Sequence, residues 1–311
     1  MSKRAIFWFR RDLRLADNPA LLAALDDADE VIPLFIMDDE IADRAGEHRR
    51  AYLASSLKAL NESLDGNLLV ISGNVTEVLR DAMKRYKADS VHSAFPFAPY
   101  GNERDAELKK EGIQLQQLGS GYAIAPGRVL KDDGTPYRVY TPFFRAWLAH
   151  GWRGPVAAPK NPAWVKPLKG DQNIPDWKSP AGVQIQEAGE KAALARFKNF
   201  LKKAADDYAD ARNIPSIEGT SRLSPHLRWG EIHPRTILAA LVNLRDMRCI
   251  AKRLLGASFM PMCCITILIP LVITTMLSTK RCDMTSQARN LKLGVQVKQV
   301  IHLSMLRCDN L

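Results

Sequence analysis

An α/β fold is predicted, with a doubly wound, mostly parallel sheet in the amino-terminal part and the beginning of an all-helical part behind it. Three observations predict it. Short apolar runs alternate with amphipathic stretches from Ala5 to Leu118, the rhythm of βαβ units. Pro155, Pro159, Pro162, Pro167, Pro175 and Pro180 then mark an extended connector, because proline continues neither a helix nor a central strand. From Gly189 onward apolar residues recur at helical spacing.

Taken in order, Ala5 to Phe9 is a buried-strand run, and Asn18-Pro19 starts a helix through about Leu25. Val31 to Met37 reads as a strand, Arg49 to Leu64 as an amphipathic helix, Asn67 to Ser72 as a strand and Val75 to Tyr86 as a helix. Ser90 to Phe95 is the next strand, Asn102 to Lys110 a helix, and Ile113 to Leu118 the last strand. Ligands of such sheets sit at the carboxyl ends of the strands. Ala192, Leu194, Phe197, Phe200 and Leu201 then share one helix side, and Thr236 to Leu244 adds another helix. The expected organisation is an α/β domain at 1–130, an extended connector at 131–186, the start of a helical domain at 187–246, and a distinct tail at 247–311.

At 311 residues and 46% apolar composition the chain can bury sizeable cores, which excludes a disordered protein. The formal charge of +10 suggests an anionic partner, yet residues 247–311 hold nine Lys/Arg against two Asp, so most of the excess lies in the tail. All five cysteines (Cys249, Cys263, Cys264, Cys282, Cys308) fall there too, without metal-ligand spacing. Met1-Ser2-Lys3-Arg4 leads directly into a strand, with no long apolar core of a signal peptide, so a cytoplasmic protein is expected, acting as a monomer.

Three stretches carry chemistry. Gly219-Thr220-Ser221-Arg222-Leu223-Ser224-Pro225-His226-Leu227-Arg228-Trp229-Gly230-Glu231 combines three hydroxyls with a helix start. Thr220, Ser221 and Ser224 can donate to phosphate oxygens, Ser224-Pro225 reads as an N-cap followed by a first-turn proline, and the free amides favour an anion. The same composition also suits a plain helix cap. Upstream, Tyr208 and Arg212 are four residues apart and share a helix face toward this loop. Phe9-Arg10-Arg11-Asp12-Leu13-Arg14-Leu15-Ala16-Asp17-Asn18-Pro19-Ala20-Leu21 packs three arginines and two aspartates into a turn, a pattern that ordinarily forms a solvated, salt-bridged surface. Asn102-Glu103 follows Phe95-Pro96-Phe97-Ala98-Pro99-Tyr100-Gly101, where an acidic helix start is also good capping.

Tyr208-x-x-x-Arg212, the run Gly219 to Arg228 and Gly230-Glu231-Ile232 together resemble the flavin-cradling segment of the DNA photolyase/cryptochrome family, and Phe9 to Leu21 resembles that family's amino-terminal signature. Thr141-Pro142-Phe143 matches a further family run. Within the family the pattern is most like a class I cyclobutane pyrimidine dimer photolyase. The resemblance implies FAD on Tyr208, Thr220, Ser221, Arg222, Leu223 and Ser224, and DNA facing Arg212. It implies a methenyltetrahydrofolate antenna on Asn102 and Glu103, since an amide and a carboxylate can pair with the N–H edge of a pterin, although other members carry a deazaflavin or no antenna. It implies light-driven repair of dimers in DNA, or the cryptochrome alternative of blue-light sensing. His233 before Pro234 departs from the family, where a serine is usual.

After about Leu244 the resemblance stops. No tryptophan follows Trp229, no glutamate follows Glu231, and Phe259 is the one aromatic beyond them. Leu254 to Leu277 has no charge, which formally meets the length of a membrane span, so a tail-anchored membrane protein is a second alternative, diluted by Pro261 and Pro270. A shifted reading frame accounts for the tail better. Codons permitted for Leu254 to Cys263, read from the third nucleotide, spell Ala-Trp-Arg-Glu-Phe-Tyr-Ala-Asp-Val, and Val300 to Asn310 permits Tyr-Pro-Phe-Val-Asp-Ala-Ala-Met-Arg-Gln in the same shift; both resemble family motifs. The expectation is a frameshift between about Asn243 and Leu254, a tail that does not complete the fold, no catalytic residues of its own and an inactive chain.

Overall fold

The computed structural model describes residues 2–38, 45–241 and 250–251. The tail at 247–311, with its apolar run Leu254 to Leu277, lies outside the described residues apart from Ile250 and Ala251. Among the described residues no helix is long and apolar enough to cross a membrane.

Five strands form an all-parallel sheet: β1 (Arg4–Phe9), β2 (Glu30–Met37), β3 (Leu69–Ser72), β4 (Ser90–Ser93) and β5 (Leu115–Gln117), in the order β3-β2-β1-β4-β5. Each expected strand is present; β1 and β2 begin one residue earlier than expected, and β3, β4 and β5 are shorter by two or three residues. The apolar runs of β1, β2 and β3 are nearly continuous because both faces are covered. Ile6 and Trp8 of β1 point into one core with Ile32, Leu34, Leu69 and Leu79. Phe7 and Phe9 point into the other with Val31, Phe35, Val70 and Leu57.

The helices follow from their caps and stripes. In α1 (Pro19–Asp27) Asn18 accepts from the Leu21 amide at 3.3 Å and Pro19 fills the first turn. α2 (Glu47–Ser63) buries Leu53, Leu57 and Leu60 beside α1 residues Leu21 and Ala24 in the second core. α3 (Val75–Tyr86) is capped by Asn74, which accepts from Thr76 and Glu77, and stops at left-handed Lys87. It lies on the opposite face, as does Leu108 of α4 (Pro99–Lys110). The helices are α5 (Tyr140–His150), α6 (Glu190–Lys203), α7 (Tyr208–Ala211), α8 (Ser224–Trp229) and α9 (Pro234–Leu241) beyond these. Ala193, Phe197 and Phe200 form the buried side of α6, so Ala193 stands where the sequence pointed to Ala192.

By proximity the described residues fall into two units. One comprises those of Met1–Phe95, Asp105–Ala125 and Trp152–Ala251; the other comprises Pro96–Arg104 and Pro126–Gly151. In the second unit, α5 is an eleven-residue helix inside the span 131–186 that the prolines suggest is extended throughout. Pro142 falls in its first turn, where proline is tolerated, and Phe143, Phe144 and Trp147 supply its buried side.

In the first unit the proline-rich segment after Trp152 is a strap on the sheet. Val31 exchanges hydrogen bonds with Ala163 and Val165, and Val70 with Asp171 and Asn173. The strap therefore pairs with edge strand β3, which would otherwise present bare amides and carbonyls. Tyr86 pins it: its hydroxyl donates to Asp171 at 2.6 Å and accepts from the Leu168 amide at 2.8 Å. Burial and the Asp171 carboxylate push the phenol up to about 12, so it stays protonated. Tyr86→Phe removes both bonds and leaves buried Asp171 short of a donor, at an expected cost of ~1–3 kcal/mol. Thermal unfolding should show the loss and limited proteolysis faster cutting within 152–186; unchanged values for both would refute the pin.

Candidate functional site

The loop after β1 leaves the carboxyl end of the central strand, and apart from exposed Arg11 its charges are withdrawn from the surface. Asp12, Arg14, Asp17 and Asn18 are all buried, which corrects the expectation of a solvated salt-bridged turn. Asp12 accepts from the Arg10 amide at 2.8 Å and from Asn18 Nδ2 at 3.4 Å. Arg10 reaches across to β4, donating to Asp105 at 2.8 Å, to the Ala94 carbonyl at 3.0 Å and to Ser93 Oγ, with its guanidinium 4.3 Å from the Trp8 ring centroid. This ion pair occupies the point between β1 and β4 where the chain order of the sheet reverses, the usual ligand crevice of such sheets.

Arg14 donates to the Asp17 carbonyl at 2.8 Å and to the Gly230 carbonyl at 2.9 Å. Burial pushes its guanidinium below the ordinary value, opposed by Asp12, Asp17 and Glu190. Glu190, at the start of α6, accepts from the amides of Leu15 and Ala16 at 2.8 and 3.1 Å, and its burial raises its pKa against those bonds. Asp17 sits at φ 50 and receives Arg235 through two nitrogens at 2.7 and 3.2 Å. Burial works against its charge, but the Val156 amide, Arg235 and, when its Nδ1 carries a proton, His233 hold the carboxyl below the usual range.

The second half of the site is the segment from α7 to α9. α7 is a single turn with Arg212 in helical conformation at its end, so Tyr208 and Arg212 do fall one turn apart. The Tyr208 ring meets Phe200 edge-on at 5.7 Å. Arg212 is half-buried and its Nε is a buried donor with no hydrogen-bond partner. Gly219 presses against this turn: a β-carbon there would lie 2.6 Å from Ala211 Cβ and 2.7 Å from the Ala211 carbonyl. Thr220 and Ser224 are exposed, Ser221 is half-buried, Leu223 is buried, and Arg222 takes φ 49 and pairs with Glu218 at 3.6 Å. Ser224 is the first residue of α8 rather than its N-cap. Left-handed Arg222 turns the chain one residue early, so Leu223 takes the cap position and no side chain caps the helix.

Two residues that the motif carries without an assigned role organise this segment. Glu231 is buried and its carboxylate accepts four hydrogen bonds: Tyr52 at 2.8 Å, His226 Nδ1 at 2.6 Å, Ser56 at 2.6 Å and the Gly189 amide at 2.8 Å. Tyr52 is pushed far up by burial and by the Glu231 charge, so it acts only as a donor to it. His226 spends its Nδ1 proton on Glu231, and its Nε2 is buried without a partner. No local pattern announces these partners, because Tyr52 and Glu231 stand 179 residues apart.

Asn102 and Glu103 lie in the other unit, exposed and side by side on α4. The helix begins at Pro99 rather than at Asn102, with Gly101 close against Pro96, so neither residue caps it: the Asn102 amide already donates to the Ala98 carbonyl at 3.0 Å.

The geometry defines a doubly wound α/β protein whose strand-carboxyl side carries a buried ionic joint and a hydroxyl-bearing helix start. The family model for DNA photolyase matches residues 5–163. The deoxyribodipyrimidine photo-lyase of Synechococcus sp. strain PCC 6301 is 34% identical over 255 residues, covering 75% of this chain and 52% of that protein. An uncharacterized 31.6 kDa protein in the atpI 5′ region of Synechococcus sp. strain PCC 6716 is 35% identical over 252 residues, covering 76% and 88%. The crystal structure of a bacterial class III photolyase from Agrobacterium tumefaciens is similar at a TM-score of 0.77 and 31% identity, over 85% of this chain and 59% of that one. The chain belongs to the DNA photolyase family, and it spans about half the length of the curated photo-lyases it matches.

Gly230 shows how tightly the two halves meet. It adopts φ +69, its carbonyl takes Arg14, the neighbouring Trp229 carbonyl takes the Leu13 amide at 3.0 Å, and an added β-carbon would lie 1.9 Å from the Arg11 carbonyl oxygen. Gly182 has a similar φ of +80 with nothing within 4 Å, so Gly182→Ala isolates the backbone strain, about 1–2 kcal/mol. Gly230→Ala adds the backbone collision and should lower thermal stability by several degrees more than Gly182→Ala. Equal melting temperatures for the two variants would contradict the close approach.

Proposed function

We propose that the chain carries the α/β domain and the opening of the flavin-binding segment of a light-dependent DNA repair enzyme for cyclobutane pyrimidine dimers. The observation that carries this assignment is the packing of Gly219 on Ala211, which brings the start of the Thr220–Ser224 hydroxyl run against the Tyr208–Arg212 turn. Support comes from family membership and from relatives named deoxyribodipyrimidine photo-lyase. In domain terms it corresponds to an α/β part at 1–130, a connector at 131–186 and a helical flavin part opening at 187–246.

The residues present fit an FAD diphosphate on one side. Thr220, Ser221 and Ser224 offer hydroxyl donors beside the amides of the first turn of α8, which have no intrahelical acceptor. Arg222 and Leu223 shape the strand of chain between them, Tyr208 borders it, and Arg212, with a donor to spare, suits a DNA phosphate. When bound and reduced, FAD supplies light-driven one-electron donation to a dimer, with the electron returned after the ring splits. Opening a damaged pair costs less than opening a sound one, which favours access to the lesion. In the other unit Asn102 and Glu103 offer an amide and a carboxylate to the N–H edge of a methenyltetrahydrofolate antenna.

The same assignment places residues 247–311 in a shifted reading frame, with the walls of the flavin site encoded in the frame that was lost. Inserting or deleting one nucleotide near codon 248 should then open a frame reading Ala-Trp-Arg-Glu-Phe-Tyr. Genomic reads in which neither shift encodes that string would sink the idea. The chain as it stands should purify nearly colourless and leave dimer-containing DNA unrepaired under blue light, whereas the frame-restored chain should be yellow and active. In the restored chain, replacing Thr220, Ser221 and Ser224 by alanine should weaken FAD at least tenfold, since each hydroxyl contributes ~1 kcal/mol. Unchanged FAD affinity in that triple variant would remove the hydroxyl run from the assignment.

A further inference from the structure

We propose that His233 is a two-position, pH-operated latch: neutral, it caps α9; protonated, it lets go of α9 and pairs with Asp17 in the loop after β1. The ring is buried between acceptors and a donor that cannot all be satisfied at once. Its Nε2 lies 2.9 Å from the Ser120 carbonyl, which can only accept, so Nε2 carries a proton in either state. Its Nδ1 lies 3.1 Å from the Arg235 amide, a donor, and 3.0 Å from Asp17 Oδ2, an acceptor. With Nδ1 unprotonated the ring accepts from the second residue of α9, as a capping side chain does, and the Nδ1 lone pair faces a carboxylate oxygen. With Nδ1 protonated it gains Asp17 and forfeits the Arg235 amide. One proton therefore exchanges one hydrogen bond for another.

The groups facing the ring determine which state prevails. Asp17 and Arg14 come from the loop after β1, Arg235 lies on α9, and Glu190 acts on Arg14 from the start of α6. Asp17 is already engaged twice by Arg235 and once by the Val156 amide, so a second cation gains little from it. Burial, aided by the Arg14 charge, outweighs the Asp17 and Ser120 hydrogen bonds and holds the imidazole below the ordinary histidine range. At neutral pH the cap is closed. As the folded pKa lies below the unfolded one, the unfolded chain binds more protons as pH drops, so the stability this site contributes is present above about pH 6.5 and is lost below it. The joint between the loop and the turn Trp229–Arg235 is what opens. A serine at this position caps without titrating, so the latch is a property of this chain's histidine.

The test compares the full chain with His233→Gln and His233→Ser between pH 8 and pH 5. The unfolding constant of the unaltered chain should climb faster on acidification than that of either variant, by up to about tenfold per pH unit. Buried His92 titrates in all three chains and cancels in the comparison. The protection of the Arg235 amide from hydrogen exchange, taken relative to its intrinsic rate at each pH, should fall in acid only where His233 is present. Should neither variant fold, side-chain NMR of the unaltered chain decides alone: His233 should titrate below 6.5. Parallel pH curves for the three chains, or a His233 titration at or above 6.5, overturns the latch.

Discussion

Arg14 is the residue on which the described structure most depends. A guanidinium removed from water is tolerated only when its protons find acceptors, and losing one partner of a buried charge costs about 3–5 kcal/mol. Arg14 meets this at two of its three nitrogens, through a carbonyl on its own loop and one at Gly230, 216 residues away, and its buried Nε has no acceptor, so each of the two bonds weighs more. The loop cannot bury its charges until the turn after α8 has docked, and the turn cannot dock without the loop. Folding of the sheet unit and placement of the hydroxyl run are thereby one event.

Glu231 extends that coupling. α8 has six residues, too few to hold a helix in water by itself, so its conformation is borrowed from tertiary contacts. His226 anchors it to Glu231, Glu231 anchors to Tyr52 and Ser56 on α2, and the Gly189 amide brings in the start of α6. A carboxylate with four donors is fully satisfied, which is what lets a charge sit in a dry interior. The geometry presented by Ser224 is consequently set by α2 and by the sheet under it.

Much of this was legible in the sequence, and what was not has a physical reason. The central strands showed because a sheet covered on both faces needs unbroken apolar runs such as Ala5 to Phe9. Asn18-Pro19 and Asn74 showed because capping is local chemistry. α5 was obscured by the prolines around it, although Phe143, Phe144 and Trp147 have helical spacing and Pro142 lies in a turn that accepts proline. The hydroxyl run and the Tyr208–Arg212 spacing were visible, while the polarity of the β1 loop read as surface. Its burial depends on Gly230, His233 and Arg235, and no local pattern connects residues more than 200 positions apart.

The exposure of the cradle argues about function as directly as its contacts do. Thr220 and Ser224 are exposed, as are Ile214 and Ile217 at 48% each, whereas Leu223 between the two hydroxyls is buried. A diphosphate can be held by hydroxyls and amides in partial water, since every such bond is charge-assisted. An isoalloxazine ring cannot, because its retention needs apolar surface on both faces and polar partners at its edges. Under the proposed function, the described residues would supply the polar half of a flavin site, tied to α2 through Glu231 and to the loop after β1 through Arg14. Under that function, affinity for the diphosphate and affinity for the ring would be separable, because hydroxyls and amides serve the first and apolar walls the second.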